Sequence, residues 1–247
     1  MTLLNYSEFL NESRKEYVEK YCKETKEVPQ VPMSFNSLYA IIKKLAGAES
    51  KNKYANTIKS IDKGEAVIIG IRKKLATRKN NPEKYIDSIY FVPKNAKKQN
   101  PTITPFQATT VPSVAWFDTE LAILDDTEYR FKIGTHTFKK LNKTIPALVP
   151  DIEGLGPKEI NVNRFSKSDD TVNTFDPPKK DIGVATNFHY GLTPKGVKAG
   201  NTIPCVGGYS AGCQVIPSEE KWNEFWGLVK NSGQPKFWYS IIEEDKI

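Results

Sequence analysis

The sequence predicts an α+β protein dominated by antiparallel strands, with helices gathered near its N-terminus. Three observations lead there. Helical periodicity of apolar residues is confined to 6–22, 34–44 and one late segment, 218–230. From residue 65 onward the apolar runs are short and punctuated by Pro, Asn and Gly. The last quarter then reads strand, loop, helix and strand. We divide the chain into a helical region, 1–63, and a β-rich domain, 64–247.

In 6–22, Phe9, Tyr17, Val18 and Tyr21 make an apolar stripe among Glu, Lys and Arg. A Pro-containing break, 28–32, precedes a second helix from Ser34 to about Lys44, which carries Leu38, Ile41 and Ile42 on one face and ends at 46–48. Residues 49–63 are polar and lysine-rich and give no assignment. Strands are expected at 65–72, 87–92, 104–111, 129–133, 144–149, 160–165, 183–189 and 236–242. Long polar loops, 94–101 and 166–180, lie among them. Ser218 is a good N-cap, and Glu219 and Glu220 suit the first helical turn. Trp222, Phe225, Trp226 and Val229 fall at i, i+3, i+4 and i+7, so they are expected to be buried against the sheet.

Of the 247 residues, 38% are hydrophobic and 26% charged, an ordinary globular composition. No apolar run approaches the roughly 20 residues of a membrane span. The first residues turn polar at once, with no basic n-region, so a secretory signal is not expected. The net charge of +7 comes from dispersed Lys and Arg, which we read as a solvated face. No nucleic-acid-binding signature accompanies it, and no nucleic-acid partner is expected.

Cys22, Cys205 and Cys213 are too few for a disulfide scaffold. With only His136 and His189 beside them, a closed four-ligand zinc site is not expected, nor any other cofactor. Cys213 stands out as a nucleophile. Gly212 before it allows a tight turn and close approach of a carbonyl. Amides of such a turn can hold an oxyanion, and the helix that follows would lower the thiol pKa if its N-terminus faced the sulfur. His189, expected at a strand end, is the candidate base, its ring nitrogen about 3 to 5 Å from the sulfur.

The segments Phe188-His189-Tyr190-Gly191 and Tyr209-Ser210-Ala211-Gly212-Cys213-Gln214 resemble the catalytic core of the L,D-transpeptidase family. That family carries an H-x-G segment, a loop and an S-H-G-C motif, and the likeness covers roughly residues 183–242. The resemblance implies an antiparallel, β-sandwich-like catalytic domain. It implies His189 as base, Cys213 as the acylated nucleophile, amides of Gly212 and Cys213 as oxyanion hole, and Ser210 as shaper of the turn. Tyr190, Gly191, Tyr209 and Gln214 flank these residues and are expected to meet substrate. The chain departs from the pattern at Ala211, where the family has histidine, and at Val215, where it has Arg or Asn. The 20 residues between His189 and Ser210 also make a longer loop than usual. The whole chain further resembles proteins of tailed phages and some bacteria that carry N-I-H … W-S-A-G-C-Q-V.

The expected function is therefore a cysteine acyl transferase or peptidase acting on peptidoglycan stem peptides, made in the cytoplasm, virion-associated and working at the wall. The alternatives are a non-enzymatic virion or wall-binding protein that keeps the fold, and a cytosolic cysteine hydrolase acting on another small amide. Cys205 reads as a packed or loop thiol, His136 as structural or exposed, and Arg164 as a surface arginine. Asp169 and Asp170 lack partner carboxylates for glycoside hydrolysis.

Overall fold

Alternation along the central strands fills two cores at once. In the computed structural model, β2 (Val67–Arg72) sends Ile68 to one side of the sheet and Val67, Ile69 and Ile71 to the other. β3 (Asp87–Val92) divides Ile89 and Phe91 from Tyr90 and Val92 in the same way. Both strands are buried from end to end, which is why they read as continuous apolar runs. The structure describes residues 30–48, 53–73, 85–112, 121–138, 142–165, 179–191, 210 and 212–247. The expected helix at 6–22, Tyr209, Cys205 and the pair Asp169 and Asp170 lie outside these residues.

The remaining strands are β1 (Met33–Ser34), β4 (Thr102–Ile103), β5 (Phe106–Ala108), β6 (Leu121–Ile123), β7 (Glu128–Phe138), β8 (Lys143–Pro150), β9 (Glu159–Phe165), β10 (Lys179–Val184), β11 (Phe188–Tyr190), β12 (Gln214–Ile216) and β13 (Lys236–Glu243). Among the described residues they form a large sheet ordered β12-β11-β8-β7-β13-β2-β3-β5, a small sheet β10-β9-β6, and the pair β1-β4. Pairing is mostly antiparallel, with β13 parallel to β2 and β11 parallel to β12. Thr109, directly after β5, exchanges two backbone hydrogen bonds with Val215 of β12, at 2.9 and 3.0 Å. This joins the two edge strands, so the large sheet closes on itself. The class is α+β, as expected.

Helices cover both faces. α1 (Phe35–Ala48) and α2 (Ala55–Asp62) lay Phe35, Leu38, Ile42, Leu45 and Ile61 over the outer face of β2, β3 and β13. α1 runs through Gly47 to Ala48, and α2 falls in the segment the polar pattern leaves unassigned. Its buried Thr57 is bonded to Ser240 of β13 at 2.7 Å, a tertiary contact invisible to hydropathy. A short α3 (Ala96–Gln99) interrupts the loop expected at 94–101, flanked by Asn95 and Asn100 in the left-handed region.

On the inner face, α4 (Glu219–Asn231) buries Trp222, Phe225 and Val229. Ser218 Oγ accepts from the Lys221 amide, as an N-cap should. Trp226, expected to be buried with them, is only partly covered. It stacks on Trp222 with ring centroids 5.4 Å apart.

A buried polar network holds the segment that closes the sheet. Asp87 accepts from the amide and hydroxyl of Thr110 at 2.8 and 2.7 Å. Arg72 donates to Thr110 Oγ1 at 2.8 Å, to the Leu124 carbonyl at 2.9 Å and to Glu243 at 2.9 Å. Each buried charge is thus paired and hydrogen-bonded.

Candidate active site

The strand expected at 183–189 is broken, and the break builds the site. β10 belongs to the small sheet and β11 to the large one. Between them Ala185 takes φ 58°, a left-handed conformation that turns the chain from one sheet to the other. His189 therefore sits in the middle of β11 rather than at a strand end. It lies beside Val215 of β12, which begins immediately after Cys213. Alternation along β11 sends Phe188 and Tyr190 to the core under α4 and His189 to the opposite face.

The turn before Cys213 meets the small sheet. Gly212 has φ +142°, and a Cβ on it would fall 2.8 Å from the carbonyl oxygen of Ala122 in β6. The glycine is thus required both by its backbone conformation and by a close approach. The Cys213 thiol donates to the Ala185 carbonyl at 3.5 Å. Cys213 is 9% exposed and His189 0%.

Ring nitrogens of His136 and His189 and the sulfur of Cys213 all lie within 4.8 Å of one another. The Cys213–His189 separation falls in the range the sequence reading expects. His189 Nδ1 is 2.8 Å from the Tyr190 carbonyl, which can only accept, so Nδ1 carries the proton. Nε2 is buried with no hydrogen-bond partner. Burial, and secondarily the neighbouring His136, push His189 down to about 3, against the opposing Tyr190 hydrogen bond. Burial likewise raises Cys213 to about 11, with a backbone hydrogen bond from Asn187 pulling the other way. A helix-lowered thiol is therefore not what the fold provides. The resting pair is a neutral thiol beside a neutral imidazole.

Of the other expected residues, Ser210 and Gln214 hold the turn. Ser210 Oγ donates to the Cys213 carbonyl at 2.7 Å, and the Gly212 amide is directed at Ser210 Oγ at 3.3 Å. Gln214 is fully buried. Its Nε2 donates to the Gly212 carbonyl at 3.2 Å, and its Oε1 accepts from Tyr239 at 3.0 Å. The Tyr190 hydroxyl donates to Glu219 at 2.9 Å, and the Gly191 amide to the Ile216 carbonyl at 3.0 Å. Arg164, in the small sheet, is bound to Asp181 at 2.9 Å.

Two further residues join the site: His136, which the sequence reads as structural or exposed, and Asn187, which sequence reasoning passed over. The His136 ring lies flat on that of His189, centroids 4.2 Å apart and planes at 17°. Asn187, two residues before His189 and so on the same face, donates from Nδ2 to His136 Nδ1 at 2.8 Å. Period two from His189 was the available signal for Asn187. For His136 the signal misleads, because inward parity along β7 passes from Tyr129 and Phe131 to Gly134, His136 and Phe138.

Two imidazoles and a thiolate form a donor set of the kind that holds zinc. Lone pairs of the ring nitrogens lie in the ring planes, however, and nearly parallel stacked planes do not converge on one ion. The rings would have to leave their stack to coordinate a metal together.

Compared with family models, with curated proteins and with solved structures, the chain matches none. Among the described residues no helix is long and apolar enough to cross a membrane.

Proposed function

We propose that this chain is a cysteine acyl-transfer enzyme of the L,D-transpeptidase kind, acting on stem peptides of bacterial peptidoglycan. The observation that supports it most is the committed imidazole. With Nδ1–H bound to the Tyr190 carbonyl, the lone pair of His189 is left on the partnerless Nε2, and a ring nitrogen of this residue lies within 4.8 Å of the Cys213 sulfur. In this reading Nε2 takes the thiol proton as sulfur attacks an amide carbonyl carbon. The imidazolium returns that proton to the leaving nitrogen as the C–N bond breaks, leaving a thioester. Water or an amine then displaces the sulfur, giving cleavage or cross-linking. The likeness of 183–242 to the family supports the substrate, and the S-A-G-C-Q pattern supports virion association and action at the wall.

A second reading, a non-enzymatic virion or wall-binding protein that keeps the fold, is favoured by the closed state of the sulfur. Its proton is directed to Ala185, its pKa is raised, and no hydrogen bond joins it to His189. Digestion of purified peptidoglycan, read by mass spectrometry of the muropeptides, separates the two. The enzyme reading requires products with wild type and none with Cys213→Ser. Absence of products from every wall type tested overturns it in favour of the scaffold.

A further inference from the structure

His189 is caged from three directions, and only one of them is its own strand. The Tyr190 carbonyl fixes its Nδ1 edge, Phe138 meets it edge-on at 5.4 Å and 89°, and His136 covers its face. His136 is itself fixed twice. Phe138, two residues on in β7, stands edge-on to it at 4.6 Å and 74°, and Asn187 donates to its Nδ1.

The reach of His136 depends on β8, which lies between β7 and β11. Phe188 pairs with Leu148, so by continuation of that register His189 sits beside Ala147, and Ala147 pairs with Gly134. A small residue in the intervening strand leaves the two rings free to meet above it. Asn187 closes the circuit to the nucleophile. Its carbonyl accepts from the Gln214 amide at 2.8 Å, and its backbone hydrogen bond reaches the Cys213 thiol.

We propose that His136 is a positioning residue of the Cys213–His189 pair, its imidazole face, tethered by Asn187, holding the His189 ring in the plane that leaves Nε2 to the sulfur. This rests on the acyl-transfer reading. His136 does not take the proton. Its Nδ1 accepts from Asn187, so its Nε2 carries the ring proton and no free lone pair is left to receive another. Burial, and to a lesser extent Lys158, hold His136 neutral, down to about 4, so the stack carries no like charges at neutral pH.

The test measures alkylation of Cys213 by iodoacetamide in the full chain, followed by peptide mass mapping so that Cys22 and Cys205 are counted separately. His136→Ala, which removes the face, should slow Cys213 by about tenfold, a loss expected when a reacting pair is misaligned by less than an ångström. His136→Phe keeps a flat ring and should recover most of that rate. His136→Gln keeps an acceptor for Asn187 without a ring and should remain slow. Imidazole ¹⁵N shifts of His189 should show the Nδ1–H tautomer in wild type and His136→Phe, and a tautomer mixture in the slow variants. Wild-type rates in all three variants overturn the proposal, as does failure of Phe to outperform Gln. If His136→Ala does not fold, the comparison of Phe with Gln decides alone. His189→Gln is run alongside. An unchanged rate there removes the general base itself, whereas a slow His189→Gln beside a normal His136→Ala removes only the role of His136.

Discussion

Gly212 lies so close to Ala122 that a Cβ placed on it would fall 2.8 Å from the Ala122 carbonyl oxygen and 2.9 Å from the Ala122 side chain. The cysteine turn is thereby pressed onto the small sheet. Gly212→Ala combines a strained positive φ with overpacking against backbone, and should destabilise the protein by about 2 to 4 kcal/mol. Urea unfolding of the two proteins measures this, and an unchanged midpoint would show that the turn is free to move.

The helix over the core gives an ordering. Phe225 is fully buried and touches the rings of Phe91, Phe106, Phe188 and Trp222. Phe225→Ala should cost about 3 to 5 kcal/mol, and the partly covered Trp226→Ala only about 1 to 2 kcal/mol. Equal losses by calorimetry would contradict the different burial of the two positions.

Asp87 is bound to both polar groups of Thr110 and to the Lys73 amide, with Arg72 on the other side of Thr110. Asp87→Ala leaves Arg72 and the Thr110 amide without that carboxylate, and should cost about 3 to 5 kcal/mol. Because Thr109 follows β5 in this segment, amide exchange at Val215 should accelerate in the variant.

The two histidines make stability depend on pH. His189 is lowered to about 3 and His136 to about 4, whereas an unfolded histidine titrates near 6.5. Between these values the unfolded chain binds more protons, so stability is full above about 6.5 and falls as pH drops. At pH 5 His189 alone accounts for a loss of about 2 kcal/mol. Unfolding curves at pH 7.5 and 5 test this, and His189→Gln should remove about half of the difference, leaving the share of His136.

Burial holds the Cys213 thiol up at about 11. Its alkylation at pH 7.5 should therefore be slower than that of an unperturbed cysteine and should climb steeply at alkaline pH. A hyper-reactive Cys213 at neutral pH would mean a resting ion pair with His189, which the arrangement described here does not contain.

Much of this protein was legible before folding was considered. Ser218 capping α4, the burial of Trp222, Phe225 and Val229, and the strands at 87–92 and 236–242 follow from local periodicity and capping chemistry, which act over a few residues. That Cys213 and His189 would lie close together was legible from their residue types and from the segments around them.

What the chain could not announce depends on which strand lies beside which. Ala185 carries no mark of the left-handed turn that divides one expected strand between two sheets. α2 offers only a short apolar stripe, Ile58 and Ile61, and is completed by tertiary hydrogen bonds such as Thr57 to Ser240. His136 lies 53 residues before His189 and meets it because β8 pairs with both of their strands. The state of the site was decided in the same way. Residue types alone determine that a thiol and an imidazole are available, but the charge on each depends on the water that packing removes, and here packing leaves both neutral.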